Sequence, residues 1–163
     1  MRCFAYGSNM SSRRLNARVS ARFVTLATLP AHRLAFHKLS RGDGSGKCDA
    51  WYTGDPADQV LGVVYEVADW DKPVLDGYEG LGAGYDEKWT HVRIEAGEHM
   101  EVQLYVATLI DPEARPFTWY RDHVLIGARE YGLPGSYQQW IASVPAWEDP
   151  NQHREARERA VHR

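Results

Sequence analysis

The sequence of 163 residues has little cysteine, only Cys3 and Cys48, which lie far apart and without CxxC spacing. That scarcity excludes a disulfide framework and a zinc knuckle and leaves two reduced, structural thiols. A long apolar run is also missing, since no stretch approaches the roughly 20 residues that cross a bilayer. Arg2 follows Met1 directly and residues 3–6 are already strand-like, which leaves no signal-peptide core. A cytosolic protein with no membrane partner is expected. Charge of one sign is lacking too: 19 Lys and Arg stand against 22 Asp and Glu, a net charge of -3. No basic field exists to hold a polyanion, so nucleic acid is not an expected partner.

Several common motifs are absent. The seven histidines form no HExxH and no i, i+4 pair on a helix, so no metal site is expected. Arg41 stands where the first glycine of a phosphate loop belongs, and Cys48 follows Gly46-Lys47 where Ser or Thr is needed. Gly80, Gly82 and Gly84 follow a helical segment rather than a strand, which rules out a dinucleotide fingerprint. Ser8 lacks the flanking glycines of a nucleophile elbow.

What is present suits one compact domain: 44% hydrophobic and 25% charged residues, with no repeat and no linker. The chain divides only into a core, residues 1–147, and a polar charged tail, residues 148–163. The tail has almost no apolar residues and reads as a frayed solvated helix or a disordered segment. In the core, residues 3–6 form a short strand ending at Gly7-Ser8-Asn9, with one or two helical turns behind a Ser hydroxyl cap. Residues 23–29 and 34–39 read as strands, and 41–47 as a flexible loop. Residues 60–67 (VLGVVYEV) suit a central strand covered on both faces. Asp69 caps a helix through Leu75 that breaks at Gly77. Residues 89–95 and 100–109 alternate around a hairpin turn at 95–98. A helix over 117–131 ends on Gly132, and Pro134 starts another.

Three segments stand out. Tyr6-Gly7-Ser8-Asn9 joins a strand to a helix start, where successive backbone N–H groups favour an anion or a developing oxyanion; an ordinary capped turn explains it equally. Glu79 sits beside glycine between Tyr78 and Tyr85, where desolvation by aromatics raises a carboxyl pKa toward that of a general base; the plain alternative is a solvated surface Glu. Gly127-Ala128-Arg129-Glu130 runs on to Gly132-Leu133-Pro134 with Tyr137 beyond, and a helix cap followed by Pro accounts for Gly132 and Pro134 without any chemistry.

Together these residues resemble the γ-glutamylcyclotransferase family. Phe4-Ala5-Tyr6-Gly7-Ser8-Asn9-Met10 is similar to its FAYGSN(L/M) signature, Leu75-Asp76 with Glu79-Gly80 to its LD..EG segment, and residues 127–137 to its GA(K/R)E.GLP..Y segment. Val60-Leu61-Gly62-Val63-Val64-Tyr65 is similar to its V.GVV(W/Y) strand, so the likeness covers nearly the whole core. The resemblance implies an α+β fold: a small mixed, mainly antiparallel β-barrel flanked by helices, with a cavity at its mouth and no metal or organic cofactor. It implies cyclisation of a γ-glutamyl group to 5-oxoproline, with release of the attached amino acid or amine. Glu79 would be the catalytic carboxylate, and Tyr6, Gly7, Ser8, Asn9, Tyr85 and Tyr137 the substrate-binding residues.

The alternatives are an enzyme for a γ-glutamylated amine and a non-catalytic small-molecule-binding protein. Asp43, Asp49, Asp86 and Glu87 in flanking loops would favour a cationic amine as leaving group if they faced it. A monomer or homodimer is expected, with Trp119, Trp140 and Trp147 able to line a dimer face or to serve as core.

Overall fold

A computed structural model describes residues 1–163. Five strands close a barrel: β1 (Arg2–Ala5), β2 (Ala21–Pro30), β5 (Gln59–Val67), β6 (Tyr85–Ile94) and β7 (His99–Ala107), in the order β1-β5-β2-β6-β7. All neighbours are antiparallel except the seam, where β1 meets β7 in parallel at Cys3 and Gln103. The mixed, mainly antiparallel barrel expected from the family likeness is therefore present. A separate two-stranded ribbon, β3 (His32–Leu39) and β4 (Gly46–Tyr52), lies outside it.

Within the barrel, β5 exposes only Gln59 and Glu66 and buries all four of its valines. Its apolar character follows from its place between β1 and β2, where both faces are covered. Gly62 is required there, because a Cβ would stand 2.5 Å from the Ala5 carbonyl oxygen and 2.8 Å from the Phe4 ring. The 95–98 turn forms as expected, with the Gly97 N–H donating to the Ile94 carbonyl and β6 and β7 in register from Tyr85↔Ala107 to Arg93↔His99.

Five helices flank the barrel: α1 (Ser12–Asn16), α2 (Lys72–Glu79), α3 (Thr118–Glu130), α4 (Gly135–Ser143) and α5 (Gln152–Ala160). Ser11 caps α1 by accepting from the Arg14 N–H. Contrary to the sequence expectation, α2 does not break at Gly77. It runs on to Glu79 and stops at Gly80, whose φ of 70° supplies the left-handed cap. That extra turn fixes where Glu79 points. Gly132, at φ 62°, ends α3, with the Gly132 N–H on the Arg129 carbonyl and the Leu133 N–H on Ala128.

Two further expectations change. The segment 41–47 is not wholly a loop, since β4 begins at Gly46, whose missing Cβ would fall 2.1 Å from the Phe36 carbonyl oxygen. The segment 148–163 is neither frayed nor disordered. Asn151 caps α5, and Arg154 clamps buried Asp149, which also accepts from the Trp119 indole N–H. Arg159 pairs with Asp122 at 2.7 Å, and Glu158 accepts from Arg14 at 2.6 Å. The contacts that dock α5 are mainly ionic, which is why a reading based on apolar pattern misses it. No helix is long and apolar enough to cross a membrane.

Candidate active site

The cavity of interest lies where β1 leaves the barrel and turns into α1. Its wall takes Cys3, Phe4 and Ala5 from β1, the turn Tyr6-Gly7-Ser8-Asn9, Leu15 from α1, Cys48 from β4 and Tyr120 from α3; Glu79, Tyr85 and Tyr105 complete it. Of the residues singled out from sequence, Tyr6, Gly7, Ser8, Asn9, Glu79 and Tyr85 are all brought together here.

Tyr137 is not. Its hydroxyl accepts from the Leu61 N–H at 3.2 Å and meets the Leu61 carbonyl at 3.4 Å, which ties α4 to β5, and none of its atoms lines this cavity. The rest of the GA(K/R)E.GLP..Y segment acts on the site from behind. A Cβ on Gly127 would stand 2.6 Å from both Met10 Cβ and the Ser11 nitrogen, so glycine lets α3 close onto the turn. Glu130 accepts from the Ser12 N–H, and the Tyr65 hydroxyl donates to the Met10 carbonyl at 2.6 Å while meeting the Tyr131 hydroxyl.

The Glu79 carboxylate is 16% exposed and accepts from the Asn9 side-chain amide at 2.7 Å and the Arg18 guanidinium at 3.3 Å. Both bonds end on Oε1, and no group of the chain bonds Oε2. Both aromatic neighbours expected for it are near: Tyr85 is in the wall, and Tyr78, 56% exposed, lines the outer side together with Glu79, with the Arg18 guanidinium 4.9 Å from its ring centroid. Arg18, just past α1, is the functional neighbour that sequence reasoning missed, as are Tyr105 and Tyr120. Only tertiary folding brings them in.

The N–H groups of Gly7, Ser8 and Asn9 have no acceptor within the chain, and all three residues line the cavity. The tyrosines opposite are already committed. Tyr6 donates to the Tyr105 carbonyl, Tyr85 to the Cys48 carbonyl, and Tyr120 accepts from the Cys48 N–H at 3.0 Å. Burial pushes the pKa of all three phenols well above the usual value. Burial likewise pushes the Cys3 thiol up to about 12, so this cysteine is a neutral wall group. No group of three or more His, Cys, Asp or Glu side chains that could hold a metal ion occurs.

The sequence profile of the AIG2-like family matches residues 59–141. Human γ-glutamylcyclotransferase is 31% identical over 159 residues, a span covering 92% of this chain and 79% of the human protein. The chain belongs to the γ-glutamylcyclotransferase family. The mouse protein of the same name is 31% identical over 160 residues, covering 93% of this chain and 80% of its own. A solved γ-glutamyl cyclotransferase structure superposes with a TM-score of 0.87 at 27% identity, covering 99% of this chain and 98% of that one.

In this family member an outer basin adjoins the cavity, and Ser8, Glu79, Tyr85 and Tyr120 line both. The basin is basic: Arg14, Arg18, Lys38 and Lys47 line it, against Glu79 as the one acid. The acidic loops expected near a leaving group do not face it. Asp43 is occupied by Ser45 and by Lys47 at 2.9 Å. Asp49 is buried on His37 and the Ala107 N–H, and Glu87 pairs with Lys72. Asp86 is exposed on β6 and lines neither cavity.

Proposed function

We propose that this chain cyclises the γ-glutamyl group of a small substrate to 5-oxoproline, with Glu79 as the proton carrier. The reaction is intramolecular: the substrate's own α-amine attacks its γ-carbonyl and closes a five-membered ring, so no protein nucleophile is required. The protein must remove a proton from the α-ammonium, stabilise the oxyanion that forms on the γ-carbonyl, and protonate the departing nitrogen.

The observation that carries the reading is Glu79 held at the cavity by Asn9 through one oxygen, with its other oxygen uncommitted, while the turn Gly7-Ser8-Asn9 supplies three N–H groups without acceptors. The α-ammonium first gives up one proton to become the attacking amine; Oε2 then takes the second from the ring nitrogen of the tetrahedral adduct and returns it to the leaving nitrogen as the C–N bond breaks, and the released amine regains the first proton from solvent. The N–H groups of the turn meet the oxyanion, an arrangement that needs no reorganisation as charge develops. Tyr6 and Tyr85, donating to backbone carbonyls, shape the pocket rather than transfer protons. Two free buried thiols fit the reducing cytoplasm.

The test is product analysis with γ-glutamyl-alanine and no added metal or nucleotide. Chromatography should show 5-oxoproline and alanine in equal amounts. Failure to release 5-oxoproline from any of a panel of γ-glutamyl amino acids and amines would overturn the proposal.

A further inference from the structure

The outer basin holds four cations, and three are matched. Arg14 bonds Glu158 at 2.6 Å, Arg18 bonds Glu79 at 3.3 Å and Lys47 bonds Asp43 at 2.9 Å. Lys38 is the exception. It is only 8% exposed, yet its ammonium has no hydrogen-bond or carboxylate partner in the chain. It rests 4.7 Å from the centroid of the Tyr85 ring, which offers a cation–π contact but no acceptor.

The fold makes room for this head group. Gly84 faces it without a side chain, and a Cβ there would stand 2.8 Å from Lys38 Cε and 2.9 Å from Nζ. The backbone is pinned as well, because Lys38 pairs with Lys47 across the β3–β4 ribbon and bridges to Ile110. An ammonium at the basin wall that forms no ion pair is a ready partner for an incoming anion, which would gain a charge-assisted hydrogen bond that the chain itself does not use. Burial lowers the Lys38 pKa while Glu79 and Asp43 oppose the shift.

We infer that Lys38 is the residue with which this site reads a carboxylate on the departing half of its substrate. The inference rests on the cyclisation reading and deepens it. Glu79 and Tyr85 line both cavities, so the reacting carbonyl sits at the seam between them. The inner cavity takes the glutamyl part that folds into the ring, and the departing amine extends into the basin. In a γ-glutamyl amino acid a carboxylate stands one carbon beyond the departing nitrogen, on the side where Lys38 lacks a partner.

The experiment compares kcat/KM for γ-glutamyl-alanine and γ-glutamyl-alaninamide, which differ only in that charge, in the native protein and in Lys38→Met and Lys38→Arg. The native protein should prefer the acid by about tenfold or more, expressed mainly in KM. Lys38→Met should lower kcat/KM for the acid about tenfold more than for the amide, and Lys38→Arg should keep most of the preference. Amide turnover also reports on folding of each variant. Equal use of both substrates by the native protein overturns the inference while leaving cyclisation intact. So does an equal loss on both substrates in Lys38→Met, which would assign the lysine to the glutamyl carboxylate or to the wall. If the native protein forms 5-oxoproline from neither, the cyclisation reading falls and this one with it.

Discussion

Asn9 donates to Glu79 at 2.7 Å across 70 positions of sequence, and Arg18 bonds both partners, at 3.1 Å and 3.3 Å. This triangle locks the signature turn to the end of α2. It fills one oxygen of the carboxylate and orients the other, so the turn and the end of the helix are held as one unit.

Glu79→Gln should lower kcat for 5-oxoproline formation at least about a hundredfold, since the amide keeps the shape but cannot accept and return a proton. Arg18→Met should lose about tenfold, because it frees the carboxylate without removing it. Steady-state kinetics on γ-glutamyl-alanine checks both, and a smaller effect of Glu79→Gln than of Arg18→Met would contradict the assigned roles.

Gly7 packs against β4, and a Cβ there would lie 2.8 Å from Cys48 Cβ and 3.3 Å from its sulfur. Gly7→Ala should therefore destabilise the fold by about 1–3 kcal/mol as an overpacking change, as well as impair turnover. Cys48→Gly on that background removes both colliding atoms and should recover part of the stability lost. Urea denaturation of the two single variants and the double gives the coupling.

Gln103, at the parallel seam, is fully buried, and neither its amide nitrogen nor its carbonyl oxygen has a partner. Gln103→Leu should raise stability by about 1 kcal/mol, because an unpaired buried amide is more costly than an apolar side chain of similar volume. A lower melting temperature in this variant would show that the amide is hydrated or paired in solution.

His123 is buried between Glu158 and His162, and burial lowers its pKa to about 4. Between that value and about 6.5 the unfolded chain binds a proton that the folded one refuses, so stability should fall as pH drops through this window. Glu158, brought down to about 2 by its bond to His123 and by Arg14, keeps its own contribution until more acid pH. Melting curves from pH 7 to pH 4 should show a loss on the order of 2 kcal/mol. The slope should be shallower in His123→Gln.

Local pattern made the continuous apolar run of β5, the β6–β7 hairpin and the Gly132 cap legible in the sequence, because each is set by near neighbours. The signature turn and Glu79 were legible as parts of the site through the family likeness. Arg18, Tyr105 and Tyr120 were not, since nothing in their own segments marks them and only the packing of helices on the barrel assembles them. The tail was misread for a different reason: Asp149, Glu158 and Arg159 dock through charge, and hydropathy carries no trace of that. Tyr137, the last residue of the third motif, is tied to Leu61 of β5 and lies outside this cavity.

The Tyr6, Tyr85 and Tyr120 hydroxyls each end on a backbone group, the Tyr105 carbonyl, the Cys48 carbonyl and the Cys48 N–H. None can swing aside without leaving a buried main-chain group unpaired, so the inner wall has a set diameter. A mould of that kind should select by length: turnover is expected to drop sharply for a homologue with one more methylene before the reacting carbonyl, whatever amine it carries.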